Sequence, residues 1–189
     1  HSKVFNPTSR ALFSFLIFMN QIITVEGILV PTGSHQGKKI IIGSDHRGFV
    51  YKTKIIEFLR GKHHEVADVG TNSKERCDYP DISDKLGRMI SEDKNFLTAG
   101  VGLCGSGIGI LIPASKHRGV YAARCLTPRE AETSRRHNNS NLLGLGSDLI
   151  DFETAVHIID TWMNAYFYSD PYQEEAYLKR YIQTVKLEE

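Results

Sequence analysis

Three cysteines and eight histidines supply the nucleophiles and proton carriers of this 189-residue chain. Cys104 opens the run Cys104-Gly105-Ser106-Gly107-Ile108-Gly109, in which three of the five residues after the thiol are glycines. Glycines let backbone N–H groups approach a ligand closely, and a helix beginning beyond them turns its positive end toward the same spot. An anion or an enediolate is welcome there, and such a place favours the thiolate form, so Cys104 reads as a base or a nucleophile. Cys77 and Cys125 lack these surroundings and read as structural. Among the histidines, His46 and His137 stand in polar, loop-like stretches beside Asp45 and Asn138. A neighbouring side chain fixes the tautomer of an imidazole and tunes a group that titrates near neutral pH. His157 lies in an apolar helical pattern, and His63, His64 and His117 read as surface positions.

Other chemistries are excluded by spacing. Gly100-Val-Gly102-Leu-Cys104-Gly105 satisfies GxGxxG, but it falls mostly within a strand, and no acidic residue follows about 20 positions on, which argues against a dinucleotide. A cysteine phosphatase requires an arginine six residues after its nucleophile, where this chain has Ile110; without it the phosphoryl group loses its bidentate clamp. The Walker pattern is absent. Asp45, His46 and His137 match no metal-site spacing, so no metal is expected.

The elements that must position these residues alternate between strand and helix. Lys39 to Gly43 is a β-branched run ending in glycine, and Arg47 to Lys62 places Ile55, Ile56 and Leu59 at helical spacing. The unit recurs: a strand over 64–69, a helix over 80–94 opened by Pro80, and a strand over 97–103. Beyond the glycine run the pattern predicts a short helix to His117, a strand over 120–123, a helix opened by a Thr127/Glu130 capping box, and a fifth strand over 141–145. Residues 151–168 carry Ala155, Ile158, Ile159, Trp162, Met163 and Tyr166 on one helical stripe. A last helix follows Pro171. Short apolar strands joined by helices imply a parallel sheet covered on both faces. Ligands of such sheets sit at the carboxyl ends of strands, where the strand order reverses. The Asp45–His46 and Cys104 islands fall at such ends. The island from Arg135 to Asn141 precedes its strand, so a bent loop or a neighbouring subunit must bring it to the others.

With 23 Lys+Arg against 22 Asp+Glu the net charge is +1, which leaves no global field for nucleic acid or an acidic membrane surface. Any anion site is local. The cysteine count argues against a disulfide scaffold and for a reducing, cytoplasmic setting. Residues 1–37 do not share the alternating pattern. Lys3 and Arg10 precede the apolar stretch from Ala11 to Met19, the layout of a targeting signal, too short to span a bilayer. Leu29-Val-Pro-Thr-Gly-Ser-His35 differs by one residue from a common thrombin-site linker, so a vector-derived leader is the other reading. Either way 1–37 is expected to lie outside the fold, with one domain over 38–189.

The islands Gly43-Ser-Asp45-His46-Arg47-Gly48-Phe49, Asp78-Tyr79-Pro80-Asp81, Cys104 to Gly109 and Arg136-His137-Asn138-Asn139-Ser-Asn141 together resemble the type B ribose 5-phosphate isomerases and the related galactose 6-phosphate isomerases. The likeness runs from about Lys38 through the final helices, in the family's order. It implies a three-layer Rossmann-like fold with a five-stranded parallel sheet and a homodimer or tetramer whose C-terminal helices serve dimerisation. It also implies active sites shared between subunits, and no cofactor. By the resemblance, Cys104 moves a proton between C1 and C2 of an open-chain sugar. Ser106, where many members have threonine, helps handle the enediolate, and the N–H groups of the loop Gly105, Gly107, Ile108 and Gly109 stabilise its charge. His137 opens the furanose ring. Asn138, Asp45, His46 and Tyr79 contact the substrate.

One feature departs from the family. The arginines that grip the substrate phosphate there correspond here to Asp148, Pro171 and Glu175, and a carboxylate near a dianion is repulsive. Arg135, Arg136, Lys179 and Arg180 are the cations that would compensate. Two further readings follow from this departure: an isomerase of an unphosphorylated or different sugar, and a catalytically silent sugar-binding protein.

Overall fold

The structure, a computed structural model, describes residues 22–167 and 171–188. The basic and apolar stretch from Lys3 to Met19 lies outside the described residues. Five strands form one wholly parallel sheet: β3 (Lys39–Ser44), β4 (Val66–Asp68), β5 (Thr98–Cys104), β6 (Ala122–Arg124) and β7 (Leu142–Gly146), in the spatial order β4-β3-β5-β7-β6. The run Ile40, Ile41, Ile42 is buried throughout because both faces are covered. Alternate residues go to opposite layers. Ile40 and Ile42 pack with Val101, Leu103, Leu143 and Leu145 against α1 (Phe49–Gly61) and α4 (Phe152–Asn164). Ile41 and Leu142 face α2 (Pro80–Glu92) and the turns after β5. The sheet therefore lies between two helical layers, the three-layer α/β arrangement the sequence predicts.

Local signals account for the helix ends. In α3 (Pro128–Asn138) the Thr127 hydroxyl accepts the Glu130 N–H at 3.2 Å, while the Glu130 carboxylate accepts the Thr127 N–H at 3.1 Å, the predicted capping box. The Asp151 carboxylate caps α4 by accepting from Thr154 N at 2.7 Å. That helix buries Ala155, Ile158, Ile159, Trp162 and Met163 but stops at Asn164, so Tyr166 lies beyond it. Between β5 and β6 the expected helix to His117 is replaced by two 3₁₀ turns, Gly109–Leu111 and Ala114–Lys116. Pro113 between them has no N–H to continue a helix.

Residues 22–37 differ most from expectation: they are packed on the domain and not detached from it. β1 (Ile22–Val25) and β2 (Ile28–Pro31) pair as an antiparallel hairpin turned at Glu26-Gly27, both with positive φ, as a tight two-residue hairpin loop requires. Val30 is fully buried among Phe167, Leu178, Tyr181 and Ile182, the last three from α5 (Pro171–Lys186). Arg135 Nη2 donates to Gly33 O at 2.8 Å, Asn139 Nδ2 to Pro31 O at 2.9 Å, and Phe167 N to Thr32 O at 3.0 Å. His35 sits 4.3 Å from Trp162 between ring centroids, and the indole N–H donates to Ser140 Oγ at 2.9 Å. The β-branched residues either side of Glu26-Gly27 explain the hairpin. Its docking rests on partners more than 100 residues away. Among the described residues no helix is long and apolar enough to cross a membrane.

Candidate active site

β3 continues to β4 on one side and is flanked by β5 on the other, so the strand order reverses between β3 and β5. Their carboxyl ends deliver Ser44-Asp45 and Cys104-Gly105 to one crevice. The backbone ties them together, with Asp45 N donating to Leu103 O at 3.1 Å. Asp45 Oδ1 accepts from Arg47 N at 2.9 Å and from Gly48 N at 3.2 Å, which shapes the turn into α1. Gly48 rests directly on Leu103, where a Cβ would come within 2.6 Å of that side chain.

Cys104 is almost buried. Its Sγ accepts the Gly107 N–H at 3.1 Å and lies 4.0 Å from Ser106 Oγ. Ser106 Oγ in turn accepts the Ile108 N–H at 3.2 Å. The loop holds this form because Gly107 adopts φ 72°, and a Cβ there would stand 2.7 Å from the Leu145 carbonyl carbon. Only three residues of 3₁₀ turn follow, so the group that faces the sulfur is the Gly107 N–H of the loop itself, and not a helix end. Tyr79 lies on Gly109, where a Cβ would meet the ring at 2.9 Å. Asp45, Tyr79, Cys104, Ser106, Gly105 and Gly109 line one cavity of about 350 Å³. His46 is held at the edge of this region, its Nδ1 3.3 Å from Cys77 O and 3.4 Å from Cys77 N.

Two further charged residues and Leu149 complete that cavity. Asp148 and Arg47 both line it, and Arg47 Nε donates to Asp148 Oδ2 at 2.8 Å, with Nη2 adding a second contact to the same oxygen. Arg47 was not singled out from the sequence. Its place directly after His46, at a strand end that carries the site, was the available signal.

His137 and Asn138 are elsewhere. They close the last turn of α3 and line a separate cavity of about 300 Å³ with Arg180, Tyr181 and Thr184. The His137 ring stacks on Tyr177 at 4.0 Å and 12°. The two cavities share no lining residue, so one chain does not bring the histidine and cysteine islands together. Of the cations weighed against the missing arginines, Arg135 is buried and tied to Gly33 and Ser140, and Arg136 pairs with Glu132 at 3.6 Å. Arg180 faces the His137 cavity, and Lys179 and Glu175 are exposed. Pro171 opens α5.

Comparison with known proteins gives the same direction. Residues 40–178 match the family model described as Ribose/Galactose Isomerase. Ribose-5-phosphate isomerase B of Escherichia coli K12 is 37% identical over 139 residues, covering 74% of this chain and 92% of its own. Among solved structures, ribose-5-phosphate isomerase B of Clostridium thermocellum superposes with a TM-score of 0.72 at 36% identity, over 79% of this chain and 97% of the other. The Mycoplasma genitalium enzyme, solved with bound ribulose-5-phosphate, gives 0.73 at 29% identity, over 79% and 95%. With the sheet order, the cysteine–glycine loop and these relatives in agreement, the chain belongs to the ribose/galactose isomerase family.

Proposed function

We propose that this isomerase interconverts ribose 5-phosphate and ribulose 5-phosphate through a cis-enediolate, at a site completed by a second copy of the chain. The observation that carries the reading is the Cys104 thiol seated on the Gly107 N–H beside Ser106, at the switch point of the sheet. Cys104 as thiolate removes the proton from C2 of the open-chain aldose. The C–H electron pair forms the C1–C2 double bond, and the carbonyl oxygen at C1 takes the negative charge. Loop N–H groups stabilise that charge, a role worth about 3 to 4 kcal/mol per donor in comparable sites. Ser106 relays the hydroxyl proton from O2 to O1, and the thiol returns its proton to C1 to give the ketose. Asp45, His46 and Tyr79 hold the sugar. His137 of a second copy donates to the ring oxygen to open the furanose, with Asn138 beside it. The separation of the two cavities within one chain supports this shared arrangement.

Phosphate recognition is rearranged, not lost. Asp148 meets Arg47 instead of standing as a lone carboxylate, and Arg180 accompanies His137 in the other half-site. These two guanidinium groups are the phosphate-binding cations in this reading. Specificity for an unphosphorylated sugar, or a silent binding protein, is not favoured beside relatives that are ribose-5-phosphate isomerases.

The test is incubation in D₂O with a panel of free and phosphorylated aldoses, following deuterium at C1 or C2. Exchange is expected with ribose 5-phosphate. No exchange with any sugar overturns the enzyme reading, and exchange with free sugars alone overturns the phosphate. Cys104→Ala is expected to lower turnover by about 10²- to 10⁴-fold, the usual contribution of a positioned base, with binding nearly intact.

A further inference from the structure

At the end of the sheet opposite Cys104, where β3, β5 and β7 begin, a cavity of about 390 Å³ opens beneath the hairpin. It is the size of a small-ligand site, and its walls are charged in an unbalanced way: Lys38, Lys94, Arg118 and Arg135 face Asp93 and Glu188. Glu188 is engaged by the Gly119 N–H at 3.0 Å.

Several buried polar atoms on the residues that line this cavity lack a partner among the described residues. Arg135, 1% exposed, donates through Nη1 to Asn139 Oδ1 and Ser140 O and through Nη2 to Gly33 O, but its buried Nε has no acceptor among the described residues. Lys38, 5% exposed, lies close enough for burial and the Arg135 charge to push its ammonium down to about 7. His35, 1% exposed, donates through Nε2 to Ser140 O at 3.0 Å; that bond leaves Nδ1 as an acceptor, and it has no donor among the described residues. Asp93 Oδ2 is likewise without a donor among the described residues. Buried polar groups are ordinarily paired. Here one N–H and one ammonium call for an oxyanion, and two acceptors call for hydroxyl groups.

We propose that this cavity binds a small oxyanion that also carries hydroxyl groups, a polyol phosphate or a hydroxy acid. Its anionic end takes hydrogen bonds from Arg135 Nε and Lys38, and its hydroxyls donate to His35 Nδ1 and Asp93. His35 and Lys38 precede residue 40, where the family match starts, while Asp93 and Arg135 lie within it, so the segment after the hairpin completes this site; it shares no lining residue with the Cys104 cavity and does not depend on the proposed reaction.

The test is titration of the full chain, ¹⁵N-labelled at histidine, with glycerol 3-phosphate and with D-glycerate, followed by calorimetry and by the His35 Nδ1 resonance. A saturable shift at His35 is expected, and which probe binds more tightly decides between phosphate and carboxylate. Lys38→Met is expected to weaken binding by about tenfold or more, as befits loss of a charged hydrogen bond, and to leave isomerase turnover unchanged. If neither probe moves His35, or if affinity in Lys38→Met equals that of the parent chain, the proposal fails. It fails equally if binding heat disappears in Arg47→Ala and persists in Lys38→Met, since the ligand then sits at the Cys104 site. Should Lys38→Met not fold, Asp93→Asn serves: it is expected to weaken both hydroxylated probes more than inorganic phosphate, and an equal effect on all three overturns the proposal.

Discussion

Asp148 opposes a phosphate only when its charge is unanswered, and Arg47 answers it. The pair is half-exposed, so its own contribution to stability is small; its consequence is for substrate binding. Arg47→Ala strips the cation and leaves the carboxylate, and is expected to raise KM for a phosphorylated sugar by about tenfold with a smaller change in kcat. Asp148→Asn is expected to move KM the other way. Steady-state kinetics on both variants checks the sign. Lys38 gives a second test at this scale. Desolvation first, and the Arg135 charge second, lower its pKa from 10.5 to about 7, with Asp93 opposing. His35, the other titratable group in this cluster, is also held low by burial. Between about pH 7 and the ordinary lysine range the unfolded chain therefore binds more protons than the folded one, and Lys38 makes stability rise with pH through that interval. Lys38→Met removes this contribution: the variant is expected to exceed the parent chain in urea melts below about pH 7, with the advantage shrinking toward pH 10. Cys104 and Ser106 were legible as a site because chemistry and glycine spacing coincide in one short run. Lys38 and His35 were not, because their burial is created by Gly33, Arg135 and Ser140 meeting across the fold.

The loop after β5 is set by the strands beneath it. Gly107 has both a left-handed conformation and backbone within 2.7 Å of a would-be Cβ. Gly107→Ala is expected to cost about 1 to 2 kcal/mol from the conformation alone, more from displaced backbone, and to lower kcat by moving the N–H from Cys104 Sγ. Thermal melts and turnover measured together check it; an active variant of unchanged melting temperature would show that the loop adapts. Elements with local signals, the isoleucine run of β3 and the Thr127/Glu130 box of α3, were readable in the residues themselves. The 3₁₀ turns were not, because the apolar spacing of Ile110 and Leu111 suits either helix type and Pro113 settles the matter. The early end of α4 at Asn164 was missed for a related reason: the apolar stripe runs on to Tyr166, but the chain leaves the helix so that Phe167 can join the hairpin cluster.

At the scale of the whole molecule, the proposed division of the site between two copies makes complementation measurable. Cys104→Ala and His137→Ala proteins are each expected to be inactive, and after mixing and subunit exchange to recover about a quarter of parental activity. Half the dimers are then mixed, and each holds one intact site of two. No recovery after demonstrated exchange would place Cys104 and His137 in the same chain's site. The strand order and helical layers followed from the alternating pattern, whereas the attachment of residues 22–37 did not. Its hydrogen bonds run to α3, to the end of α4 and to the chain beyond it, and no short-range pattern encodes them. The same junction holds the chain's single tryptophan. Trp162 is fully buried, hydrogen-bonded to Ser140 and beside His35. Its emission is therefore a built-in optical gauge of one end of the sheet: detachment of the hairpin wets the indole and shifts its spectrum to the red, while events around Cys104, at the far end, leave it dark to them.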